Sequence, residues 1–77
     1  MQRNYVKNNK ELAEHLRFIR KCRGFSQSVV AEKLNVDRST YSYYELGKTK
    51  PDIQAIINLC EFYGIEINDL ITKEGTS

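Results

Sequence analysis

Between Gly24 and Gly47 the chain has room for two short helices and a tight turn, and little else. Ser26 is a good N-cap, because its hydroxyl can accept a hydrogen bond from an unpaired amide of the first turn. Val30, Ala31 and Leu34 then fall on one face, and the segment runs out near Asn35. Asp37 is placed to cap a second segment, Arg38-Ser39-Thr40-Tyr41-Ser42-Tyr43-Tyr44-Glu45, which ends by Gly47. The joint between them is about three residues long.

The flanks also read as helical. Leu12, Leu16 and Ile19 recur at helical spacing, and that segment stops at Gly24. Lys48-Thr49-Lys50 reads as a loop. Pro51 and Asp52 are expected to start a fourth helix, since proline is tolerated in a first turn. Its expected inner face is Ile53, Ile56, Ile57, Cys60 and Tyr63, with Gly64 as terminator. A last short helix over 68–71 supplies Leu70 to the core. The expected architecture is all-α, a compact five-helix domain over 10–72, with tails at 1–9 and 73–77.

Composition narrows the function classes. With 77 residues, one proline and four glycines, the chain suits one small domain of packed helices. It has no apolar run of about 18 residues, so no membrane span is expected. The first ten residues lack the apolar stretch of a signal peptide, and a cytoplasmic location is the expectation. Cys22 and Cys60 lie outside any CxxC and read as two reduced thiols. His15 is the only histidine, so no zinc site and no other metal or cofactor is expected. His15, Phe18 and Cys22 share a face of the first helix, but the Cys and His are seven residues apart with no orienting third group. The chain is not expected to be an enzyme.

Charge is divided along the chain. Residues 1–50 hold eleven Lys/Arg against five acidic residues, net +6, while residues 51–77 hold one Lys against five, net −4. Such a chain can offer a polyanion one side and keep the other free.

The third helix shows which side that is. At about 100° per residue, with Arg38 at zero, Ser42, Ser39 and Tyr43 fall near 40°, 100° and 140°. Tyr41 and Tyr44 fall at about 300° and 240°. The first set has the size and chemistry to enter a major groove, and the two aromatics belong to the core. Two short helices with this joint are the geometry of a helix-turn-helix.

From about residue 12 to residue 71 the chain resembles the phage repressor and Cro group of helix-turn-helix regulators. The resemblance is carried by Ser26-Gln27, Ala31, Ser42 with Glu45, Gly47-Lys48, Pro51 and the run from Leu59 to Ile71. It implies a lambda-repressor-like fold and a DNA-binding transcriptional regulator, more often a repressor. Gln27 matches the residue that bonds a DNA phosphate and braces the recognition helix. Arg38, Ser39 and Tyr43 match positions that touch base edges, with Ser42 beside them. Lys48 and Lys50 sit where the family's loop approaches the DNA backbone, and Arg20 with Glu45 matches a structural ion pair. Three positions depart from the pattern. Asn35 replaces the usual turn glycine but tolerates positive φ. Tyr41 replaces a β-branched aliphatic and implies a larger pocket. Leu46 stands where a polar residue is common.

Phe62 points away from the expected inner face of the fourth helix, near Ile65, Ile67 and Ile71. This apolar strip is the expected contact of a homodimer, which would place two reading heads about one DNA turn apart. Arg3 and Lys7 leave open an N-terminal arm onto DNA. The alternatives are an antitoxin or restriction-modification controller with the same DNA surface, or a protein-interaction module that has lost DNA.

Overall fold

Each helix begins after a residue in extended conformation, and all but the last end at a left-handed one. The computed structural model describes residues 6–72. Its helices are α1 (Asn9–Arg23), α2 (Gln27–Leu34), α3 (Arg38–Leu46), α4 (Ile53–Tyr63) and α5 (Ile67–Ile71). The left-handed C-caps are Gly24, Asn35, Gly47 and Gly64. Among the described residues Asn35, at φ 60°, is the one non-glycine with positive φ, and it makes the α2–α3 turn. Its amide donates back to the Glu32 carbonyl at 3.0 Å, and Val36 N–H to Ala31 O at 3.0 Å. The turn thereby satisfies carbonyls that the end of a helix leaves bare.

The N-caps differ in how they work. The Ser26 hydroxyl accepts from Val29 N–H at 3.1 Å, and Asp52 Oδ1 from Ala55 N–H at 2.8 Å. Asp37 occupies the cap position of α3, yet its carboxylate makes no cap hydrogen bond. Asn8 and Glu11 form a reciprocal capping box at the start of α1, at 2.8 and 2.9 Å. Residues 6–9, expected in the tail, are therefore held. Val6 pairs with Thr72 in an isolated antiparallel bridge, and Lys7 N–H donates to Ile71 O at 2.6 Å. The remaining expected tail residues lie outside the described ones.

The core joins all five helices. Leu16, Val30, Tyr41, Leu59 and Leu70 are wholly buried, one from each helix. Burying a side chain of this size contributes roughly 1.5–3 kcal/mol. Helices α1 and α2 both pack on α3, α4 packs on α2 and α5, and α5 returns to α1. The orientation of α3 is thus fixed from two sides.

The fourth helix differs from expectation. Pro51 is buried and precedes the Asp52 cap, so it lies outside α4 rather than in its first turn. The buried stripe is Ala55, Ile56, Leu59, Cys60 and Tyr63, whereas Ile53 and Ile57 are 66% and 40% exposed. On a helical wheel those two isoleucines sit about 90° and 130° from the centre of the stripe. Position on the wheel, not hydrophobicity, decides their exposure, and Leu59, outside the expected inner face, is fully buried.

Candidate nucleic-acid interface

With Tyr41, Tyr44 and Glu45 buried, α3 turns its opposite side to solvent. The centre of that free face is Ser39, Tyr43 and Leu46, the last two 46% and 62% exposed. Arg38 is exposed at the start of the helix, on the flank of this face. Beyond the helix, Lys48 and Lys50 are exposed, and the Lys48 ammonium lies over the Tyr43 ring at 5.8 Å. That contact sets a cation beside a candidate base-reading ring. Gly47 makes the sharp exit possible at φ 76°, and its carbonyl accepts from Asn9 Nδ2 at 2.7 Å.

Behind the free face, Arg20 of α1 meets Glu45 of α3 in a two-pronged contact. Nε donates to Oε2 at 2.6 Å and Nη2 to Oε1 at 3.0 Å. Arg20 Nη1 also donates to Phe25 O at 2.9 Å, tying the pair to the α1–α2 connection. Gln27, the first residue of α2, donates from Nε2 to Glu45 Oε1 at 3.0 Å. One carboxylate therefore links α1, α2 and α3. Burial alone would raise the Glu45 carboxyl, but the Arg20 and Gln27 hydrogen bonds and the Arg20 charge outweigh it and hold it below its ordinary value. Tyr41 and Tyr63 place buried hydroxyls near this pair. Burial pushes both phenols up.

The site residues separate into three places. Ser39 and Tyr43 share the outer side of α3, with exposed Arg38 on its flank and Lys48 and Lys50 following the helix. Ser42 stands back from that side. It is half-buried and lines a cleft of about 310 Å³ between α1 and α3, together with Gln27 and Glu45. Two residues of that cleft, Arg17 and Lys21, had not been singled out in the sequence. Their four-residue spacing, with Arg20 between, was the available sign of one basic helix face.

The third place is the distal end. Phe62 packs on Phe25 with ring centroids 5.1 Å apart and on Tyr63 at 5.0 Å. It is partly buried against the core, as are Ile65 and Ile71, so the expected apolar strip is largely spent within the monomer. Ile67 remains 39% exposed. Lys7 donates from Nζ to Leu70 O at 3.1 Å and also to Thr72 O, so its ammonium is engaged at the end of α5. Arg3 lies outside the described residues. His15 Nδ1 is 3.3 Å from Leu70 O, while Cys22 is exposed elsewhere on α1. The two are not brought together.

Five helices with a braced third one, exposed between a tight turn and a basic loop, define a helix-turn-helix DNA-binding module. The chain belongs to the helix-turn-helix domain family, whose model matches residues 4–76, and within it resembles the phage-repressor group. It is 32% identical over 62 residues to the cryptic phage CTXphi transcriptional repressor RstR of Vibrio cholerae, covering 80% of this chain and 56% of RstR. A transcriptional regulator from Listeria innocua has a solved structure with TM-score 0.74 and 38% identity, over 78% of this chain and 56% of that one. The restriction-modification controller C.AhdI of Aeromonas hydrophila superposes with TM-score 0.72 and 29% identity, over 77% and 89%. The chain thus spans little more than half the length of RstR and of the Listeria regulator. No helix among the described residues is long and apolar enough to cross a membrane.

Proposed function

We propose that this chain binds double-stranded DNA in a sequence-dependent way and regulates transcription by occupying an operator, more often as a repressor. The observation that carries the reading is the free face of α3, held outward by the Arg20–Glu45–Gln27 link. Arg38, Ser39 and Tyr43 reach base edges from that face. Arg38 is the strongest reader, because a guanidinium can bond guanine O6 and N7 together. Lys48 and Lys50 neutralise phosphates beside the groove, and such contacts position the protein without reading sequence. The module acts by binding, and no catalytic group is assigned to it.

Two copies would work together. A single small module makes few base contacts, and joining two raises affinity through effective concentration. The acidic half carries Ile67, Ile53 and Ile57 at its surface, which supports a contact there that leaves the basic halves on DNA. The likeness to C.AhdI supports a second reading, a restriction-modification controller using the same face.

Selection of bound sequences from a random duplex pool tests the proposal, with wild type and Arg38→Ala in parallel. A palindromic motif from wild type, relaxed at one base per half-site in the variant, is the expected result. The loss at that base should be about 1–3 kcal/mol. No enrichment from either protein at low salt would overturn the reading and favour a protein-interaction module. A motif lying before a methyltransferase gene would favour the controller.

A further inference from the structure

Phe18 is 65% exposed on α1, about 160° around the helix from the wholly buried Leu16. A lone apolar side chain at a surface is ordinary, but this ring has company. With Phe18 at zero, Lys21, Glu14 and Cys22 fall near 300°, 320° and 40°, and Arg17 near 260°. All are exposed, and the five line a shallow hollow of about 520 Å³ built from α1 alone. Glu14 stands three residues before Arg17, a spacing that allows an ion pair within one helix. Among the described residues, however, Glu14, Arg17 and Lys21 form no ion pair. An aromatic ring therefore stands in water among unmatched charges of both signs.

The pattern is complementary to itself. A two-fold axis crossing a helix at right angles lays a second copy antiparallel to it, with residues equidistant from the axis face to face. An axis midway between Arg17 and Phe18 sets Glu14 of each copy opposite Lys21 of the other. It also sets each Phe18 ring opposite an Arg17 guanidinium, an attractive pairing of cation and ring. Each attraction occurs twice, and no like charges are opposed. We propose that a second copy of this chain docks on this face of α1, antiparallel about that axis. The contact is separate from the one proposed at the distal end, where Ile67 is exposed. Five residues are far fewer than the roughly 20–30 that each partner gives a standard interface. Association through α1 is therefore weak, with a dissociation constant of roughly 0.1–1 mM, and salt weakens it further.

The test starts from the full chain carrying Ile67→Arg, which sets the distal contact aside. Amide NMR shifts are followed over a dilution series at low salt, up to millimolar protein. The same chain is compared with Glu14→Lys, with Lys21→Glu, with both together and with Phe18→Ser. All these positions are exposed, and circular dichroism melts check that each variant stays folded. Concentration-dependent shifts should cluster on residues 14–22 of the Ile67→Arg protein. Either single reversal should weaken association roughly tenfold, since it turns two attractions into two repulsions. The double reversal should restore it, and Phe18→Ser should remove it. Shifts that stay constant up to millimolar protein overturn the proposal, as does a double reversal no better than either single one. If the Phe18 amide instead responds to deletion of residues 1–5 at every concentration, the hollow belongs to the chain's own N-terminal segment and the second copy is excluded.

Discussion

Arg20 and Glu45 meet fork to fork beneath the recognition helix, with two donors of one guanidinium on the two oxygens of one carboxylate. Their side chains are 11% and 3% exposed, so each would be left as an unpaired buried charge without the other. Breaking such a pair costs far more than the pair contributes, because the survivor keeps its desolvation penalty. Glu45→Ala should lower unfolding free energy by about 3–5 kcal/mol. The double variant Arg20→Met/Glu45→Leu should recover most of that loss. Urea denaturation of the three proteins decides the point, and a double variant no better than Glu45→Ala would count against it.

The same carboxylate ties stability to acidity. Glu45 titrates below its ordinary value of 4.5 in the folded protein, so the unfolded chain takes up its proton first. The contribution is whole above that value and is lost as pH falls toward the lower folded one. Thermal midpoints should drop below about pH 4.5 in wild type, and Glu45→Gln should flatten that part of the profile. An unchanged acid limb in the variant would mean that other carboxylates dominate.

Asn35 gives a smaller and cleaner effect. Its backbone sits at φ 60°, ψ 43°, a conformation that glycine adopts without side-chain cost. Asn35→Gly should hold or gain a few tenths of a kcal/mol, while Asn35→Ala should lose about 1 kcal/mol. Melting of both variants should give shifts of opposite sign or, at the least, clearly unequal size.

The distal surface separates folding from assembly. Phe62→Arg should unfold the domain, because the Phe62 ring is packed against Phe25 and Tyr63. Ile67→Arg places the same charge at an exposed position and should leave the fold intact. If two copies associate through this end, sedimentation at micromolar concentration will find wild type dimeric and Ile67→Arg monomeric. Identical sedimentation of the two folded proteins would exclude Ile67 from the contact.

Much of this was readable in the chain. Helix ends at Gly24, Asn35, Gly47 and Gly64 were visible because the residues that accept left-handed backbone are few. Tyr41 and Tyr44 separated from Ser39 and Tyr43 because helical period alone divides them. The capping box at Asn8 and Glu11 is equally legible from its three-residue spacing, within a stretch whose polar composition suggests a tail. Other features were not available from local pattern. Ile53 and Ile57 look like core until α4 is placed on α2 and α5, and Phe62 looks free until Phe25 arrives from the α1–α2 connection. Ser42 lies within 40° of Arg38 on the wheel, and its direction depends on where α1 crosses α3. Contacts between distant segments decide such cases, and no window along the chain contains them.

The pairing of Val6 with Thr72 also has a mechanical meaning. An antiparallel pair loaded through those two positions is pulled apart from one end, so its hydrogen bonds yield in turn rather than together. Tension applied there would strip Lys7 from α5 and then peel α1 from its N-terminal end, reaching Arg20, the brace of α3, last. Optical tweezers gripping the two positions should therefore record an early low-force step before the main rupture, marking a domain that opens at its seam while its reading helix is still in place.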